Sequence, residues 1–124
     1  MANHQRIKPP PDFSQELRNL FYALQRQLKR QATWQDTDAP LLAAYCRALQ
    51  SASEARAEAA TAPLMAKGSK GQSVPHPAHR MARDAETYAL TLSAALLLSP
   101  ASRQKAGIEV REHVEDELAA ILGG

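Results

Sequence analysis

Residues 73–86, SVPHPAHRMARDAE, set His76 and His79 three apart and Arg80 and Arg83 three apart. Side chains at i and i+3 share a helix face, so both histidines could reach one metal ion from a first helical turn. Zinc requires three or four ligands. The sequence offers no cysteine pair, His-Glu-x-x-His or carboxylate cluster beside them, and no metal is expected. The prolines give a plainer account. A residue before proline is driven to extended geometry, so Val74 and His76 lead straight out of a turn. Pro77 then opens a helix with its φ preset, and Arg80 and Arg83 face outward near Lys67 and Lys70.

Other chemistry fares no better. Lys70 stands between glycines in GSKG, but a phosphate loop needs Gly-x-x-x-x-Gly-Lys-Ser/Thr, and Gln72 follows the second glycine. No serine lies in a strand–turn–helix elbow. His113 reads as a solvated histidine, and Glu115-Asp116-Glu117 as an exposed charge run. The single cysteine, Cys46, excludes an internal disulfide and falls on an apolar stripe as a core thiol. No catalytic residue and no cofactor is expected.

The elements around these residues are helical. Aromatic residues make up only 5% of the 124-residue chain, and abundant Ala, Leu, Gln, Arg and Glu favour helices in one domain. The longest apolar run, Ala94 to Leu98, is too short to span a bilayer. The start, MANHQRIKPPPD, lacks the apolar core of a signal peptide. A cytosolic, soluble chain with no membrane partner is expected.

The expected fold is all-α: an antiparallel helical hairpin core with an N-terminal helix, a short β-hairpin or loop between the central helices, and a C-terminal helix. Residues 1–12 form a flexible arm ending in Pro9-Pro10-Pro11. A core spans 13–107. From Phe13, the residues Leu17, Leu20, Phe21, Leu24 and Leu28 mark the buried stripe of a first helix. Asp38 caps a second helix, with Pro40 in its first turn. Its stripe is Leu42, Tyr45, Cys46 and Leu49, then Ala52 or Ser53. Residues 61–75 carry Pro63, Gly68, Gly71 and Pro75, the marks of a hairpin or ordered loop. A third helix runs from Pro77 to about Leu98, with Ala78, Met81, Ala82, Ala85, Tyr88, Ala89, Leu92, Ala95 and Leu96 on one face. Ser99 caps a short fourth helix that stalls at Gly107. Residues 108–124 form an acidic helix, with Val110, Val114, Leu118, Ile121 and Leu122 along one side.

Charge is uneven despite a net charge of only +2. On the first helix Arg18, Arg26, Lys29 and Arg30 fall within about 120° of arc opposite the apolar stripe. Residues 61–83 add Lys67, Lys70, Arg80 and Arg83 with no acid. The last stretch reverses sign, through Glu109, Glu112, Glu115, Asp116 and Glu117. One face suits a polyanion and another a protein.

In order, DAPLLAAYCRAL (38–49), GSKGQSVPHP (68–77) and HPAHRMARDAETYALTLSAALLLSPASRQKAG (76–107) resemble the phage terminase small subunits, in the branch with a helical core and no separate helix-turn-helix domain. The resemblance covers about residues 13–107 and leaves the acidic tail outside. The chain departs at Leu98, where glycine is expected in a Leu-Gly-Leu-Ser-Pro turn. The resemblance implies a non-enzymatic homo-oligomeric ring that binds double-stranded viral DNA at the packaging start. It would recruit or regulate the large terminase subunit, which carries the ATPase and nuclease. Charge placement makes Arg18, Arg26, Lys29 and Arg30, then Lys67, Lys70, Arg80 and Arg83, the DNA-binding candidates. Two rivals remain at this level. AALLLSPASRQKAGIEV has some likeness to a helix-turn-helix regulator, with Arg103 on its second helix, and the chain could also be a structural phage assembly protein.

Overall fold

A computed structural model describes residues 6–107. Helix α1 spans Gln15–Arg30, a 3-10 turn spans Asp36–Asp38, and α2 spans Ala39–Thr61. Strands β1 (Met65–Lys67) and β2 (Ser73–Pro75) come next, then α3 (Pro77–Ala95) and α4 (Pro100–Ala106). The fold is all-α with one small β-hairpin, as its sequence pattern predicts. The acidic helix expected over 108–124 lies outside the described residues.

Helix α1 begins at Gln15, two residues later than its apolar pattern. Ser14 is the N-cap, and its Oγ accepts from the Leu17 N–H at 3.2 Å, meeting one donor that the first turn leaves without a helical partner. Phe13 sits before the cap yet is buried, edge-on to Phe21 with centroids 6.2 Å apart. Residues 6–12, part of the expected arm, run beside α1. The Ile7 N–H donates to Gln25 Oε1 at 2.9 Å, and Gln25 Nε2 returns a bond to the Ile7 carbonyl at 3.0 Å. Gln25 is 1% exposed. It occupies the apolar stripe because the extended strand beside it needs backbone partners.

Helices α1 and α3 end the same way. The Thr33 and Ala32 N–H groups return to the Leu28 and Lys29 carbonyls, and the Leu98 and Leu97 N–H groups to Ser93 and Ala94. This paired closure needs a left-handed residue just past the cap. Ala32 and Leu97 fill that role, each with φ of 61°, although glycine would do so without Cβ strain. The turn position that wants glycine is therefore Leu97 rather than Leu98. Leu98 instead packs on the core behind it. Gln31 Nε2 donates to the Leu97 carbonyl at 3.1 Å and joins the two helix ends.

Asp38 precedes α2 as expected, but its carboxylate caps nothing in that helix. It accepts from the Gln35 N–H at 3.0 Å and closes the 3-10 turn. The hairpin pairs Met65 with Pro75 and Lys67 with Ser73. Gly71 makes its turn with φ of 78°, a conformation open to glycine at no steric cost.

Two kinds of core result. Around α1 and the first half of α2, Phe13, Leu17, Phe21, Leu28, Leu42, Cys46 and Leu96 form one cluster. Burying a side chain such as Phe21 or Leu42 contributes about 1.5–3 kcal/mol. Along the rest of the α2–α3 hairpin alanine dominates the contact: Ala48 and Ala89 with Leu92, then alanine only, Ala59 with Ala78 and Ala82. Here the expected α3 face needs correction. Met81 and Tyr88 are 62% and 56% exposed, and Ala95 is also exposed. Alanine at the contact lets the two backbones approach closely, so the larger side chains splay to the flanks.

Candidate nucleic-acid interface

Arg18, Arg26, Lys29 and Arg30 are all exposed on α1. Lys29 and Arg30 occupy its last turn, where cations complement the negative end of the helix dipole. Arg30 Nη2 donates to Gln27 Oε1 at 2.6 Å, one turn back, which steadies the guanidinium at the helix surface. Arg18 Nη2 lies 3.5 Å from the Pro11 carbonyl.

The second basic group surrounds the hairpin. Lys67 ends β1 and Lys70 sits in the turn, both exposed. Gln72 Oε1 accepts the Lys70 backbone N–H at 3.0 Å, so Gln72 shapes the turn while Lys70 stays exposed. Arg80 and Arg83 are exposed on the first turns of α3. Arg80 Nε stands 3.7 Å from Asp84 Oδ2, a surface pair worth little in water.

The two groups do not converge. Helix α1 packs at Leu42 and Cys46, whereas the start of α3 packs at Ala59. Cys46 and Ala59 are thirteen residues apart, about 20 Å along α2. Each chain thus carries one basic cluster at the C-terminal end of α1 (Arg26, Lys29 and Arg30) and another around the β-hairpin, with Arg18 a further twelve residues from Arg30 at the start of α1.

One further cation belongs with the first patch. Arg103 of α4 donates from Nη1 to the Leu98 carbonyl at 2.7 Å. With Arg30, it borders a groove of about 390 Å³ floored by Ala23, Leu24, Tyr45 and Leu98. The sequence signal for it was the Ser-Pro-capped turn itself, which folds Arg103 back toward α1.

The histidines of the α3 entry have structural partners. His76 Nδ1 accepts from the Ala78 N–H at 3.1 Å and so caps α3. His79 Nε2 donates to the Pro63 carbonyl at 3.0 Å, fastening the helix to the end of α2. Among the described residues, no group of three His, Cys, Asp or Glu side chains is placed to hold a metal. Cys46 is fully buried, and burial pushes its thiol up to about 11. A thiol held neutral in this way is a poor nucleophile.

This order of capped helix, hairpin, proline-led helix and Ser-Pro turn has a counterpart among known proteins. A family model described as the small subunit of phage terminase matches residues 18–113. The chain belongs to the phage terminase small subunit family. Its membership places it in phage DNA packaging. The match opens at Arg18 and takes in nearly all of α1, both central helices, the hairpin and α4. It also reaches His113, so the first residues of the acidic segment fall inside the family match rather than beyond it. No curated protein and no solved structure matches significantly. Among the described residues, no helix of this terminase small subunit is long and apolar enough to cross a membrane.

Proposed function

We propose that this terminase small subunit assembles into a homo-oligomeric ring. The ring binds double-stranded viral DNA at the packaging initiation site and recruits or regulates the large subunit in the host cytoplasm. The role is non-catalytic and needs no cofactor. The observation that carries the assembly is the unpartnered apolar surface on both flanks of the α2–α3 hairpin. On one flank Tyr45, Leu49, Ala52, Ala89 and the 68%-exposed Leu90 line a groove of about 540 Å³. On the other, Ala44, Ala48, Ala85 and Tyr88 line a second. Two different apolar flanks on one chain suit a head-to-tail interface, which closes into a ring when its rotation allows.

Repetition supports the DNA role. Few cations stand in each patch, but a ring multiplies them, and linked weak contacts give strong overall binding. Arg18, Arg26, Lys29 and Arg30 are the first candidates for phosphate contact, then Lys67, Lys70, Arg80 and Arg83. In this division residues 1–12 are an arm, 13–107 the assembly and DNA-binding core, and 108–124 the segment for large-subunit contact or ring packing. A helix-turn-helix regulator fits less well, because α4 has seven residues and ends at Gly107 with φ of 74°. A recognition helix that short cannot lie along a major groove.

Light scattering, then a DNA shift assay across salt, tests the proposal. A particle heavier than a dimer is expected. Its DNA affinity should fall linearly on log–log axes as salt rises, with a slope of roughly −0.9 per phosphate neutralised. A monomer or dimer would overturn the ring.

A further inference from the structure

Ser93 lines the larger groove on the flank of the α2–α3 hairpin and is only 8% exposed. Its hydroxyl has no hydrogen-bond partner among the described residues. Thr91, on the same helix, bonds the Thr87 carbonyl one turn back at 3.1 Å. A hydroxyl buried as deeply as Ser93 is costly to leave unpaired, and most find a partner. Around it Leu49, Ala52, Ala89 and Leu90 present apolar surface. The two charged residues of the groove, Arg56 and Glu86, are paired, Nε to Oε2 at 3.1 Å, and add no net charge. This groove suits a side chain with an apolar body and one hydroxyl. Such a side chain stands on the opposite flank. Tyr88 is exposed, and its phenol is also without a hydrogen-bond partner among the described residues. Five residues separate it from Ser93, about 140° around α3, and it lines the second groove with Ala44, Ala48 and Ala85. It therefore cannot reach Ser93 of its own chain. Met81, exposed seven residues earlier, shares its side of the helix. The ridge from Met81 to Tyr88 and the groove wall from Glu86 to Ser93 each cover seven residues, about 10 Å. The other large exposed apolar residues, Leu64, Met65 and Leu90, carry no hydroxyl.

We infer that the Met81–Tyr88 ridge of one copy seats in the Ser93 groove of the next, with the Tyr88 hydroxyl paired to Ser93 Oγ. The inference rests on the ring reading and names the joint within it. Tyrosine serves both needs of the groove, since its ring covers apolar surface while its O–H finds a partner. Ridge and groove lie on different flanks of one chain. Each copy thus gives its ridge to one neighbour and its groove to the other, a heterologous contact.

Two one-sided variants of the full chain test the joint. Tyr88→Glu spoils the ridge and keeps the groove, whereas Leu90→Glu spoils the groove and keeps the ridge. Both positions are exposed, so helical circular dichroism should match the parent. Each variant alone should be a monomer in light scattering. Their equimolar mixture should be a dimer, because one ridge and one groove remain to meet. Parent mass in either variant alone would overturn the inference and leave the ring to another surface. Loss of large-subunit binding in such a variant would assign the groove to that partner instead. A mixture that stayed monomeric would also overturn the inference. A parent chain no heavier than a dimer would overturn the ring itself, and the joint with it. The hydroxyl pair has its own readout in the mixed dimer. Tyr88→Phe is added to the Leu90→Glu chain, and Ser93→Ala to the Tyr88→Glu chain. Each should raise the dissociation concentration several-fold, and both together no further than either alone. Losses that multiply would overturn the pairing of those two hydroxyls.

Discussion

The two ends of the α2–α3 hairpin are built differently. Near α1 the core is made of Phe13, Phe21, Leu28, Leu42 and Leu96, which fill space, with Leu24, Tyr45 and Leu98 partly covered at its edge. Toward the β-hairpin the contact is alanine on alanine, while Met81, Leu64 and Met65 stay exposed there, and Tyr88 and Leu90 stay exposed midway along the hairpin. The first end folds on its own side chains. The second joins its helices closely and leaves its large side chains exposed. If the chain assembles as proposed, stability and assembly are separable in it.

The strongest break of that contrast is Phe21→Ala. It empties a fully buried site and should cost about 3–5 kcal/mol in denaturant unfolding, removing assembly and DNA binding together. Next is Ala82→Leu at the alanine contact. The residue is fully buried, and a larger side chain there should cost roughly 1–3 kcal/mol by prising α2 from α3. Ala32→Gly acts in the opposite direction. It relieves a left-handed alanine on the surface after α1 and should raise stability by about 0.5–1 kcal/mol. Tyr88→Glu is the sharpest test of separability. It should change unfolding by no more than about 0.5 kcal/mol while collapsing the assembly to a smaller species in light scattering.

Cys46 adds a pH signature at the α1 end. Its thiol pKa is raised by burial to about 11 from 9.0, so the folded chain holds this proton more tightly than the unfolded chain. Its contribution is fully present below pH 9 and is lost as pH rises through about 11. Cys46→Ala should flatten the stability loss in that window.

Much of this was legible from residue pattern. Ser99-Pro100, Pro77 and the glycine-bounded hairpin announced their elements because caps, prolines and turn glycines act locally. The α3 face was less legible, because a period of 3.6 identifies an apolar side but not how much of it one neighbour covers. Ala78, Ala82 and Ala89 took the contact, and Met81 and Tyr88 were left at its flanks. Gln25 escaped sequence reasoning although it stood on the α1 stripe, four residues after Phe21. A glutamine there beside a proline-rich strand is the signal of a backbone partner. The basic candidates are exposed as their spacing suggests, but Arg103 was not among them, and their distribution depends on how far α2 carries the hairpin from α1. Spacing along the chain does not encode that distance.

The central claim is that the α1 end meets DNA while the alanine-lined flanks meet other copies. The most direct measurement is low-salt DNA affinity of the assembled Arg26→Glu and Lys29→Glu variant, with particle mass measured in the same sample. The predicted result is an unchanged mass with DNA binding weakened by about tenfold or more, and a shallower salt slope. Unchanged mass with unchanged affinity would contradict the account.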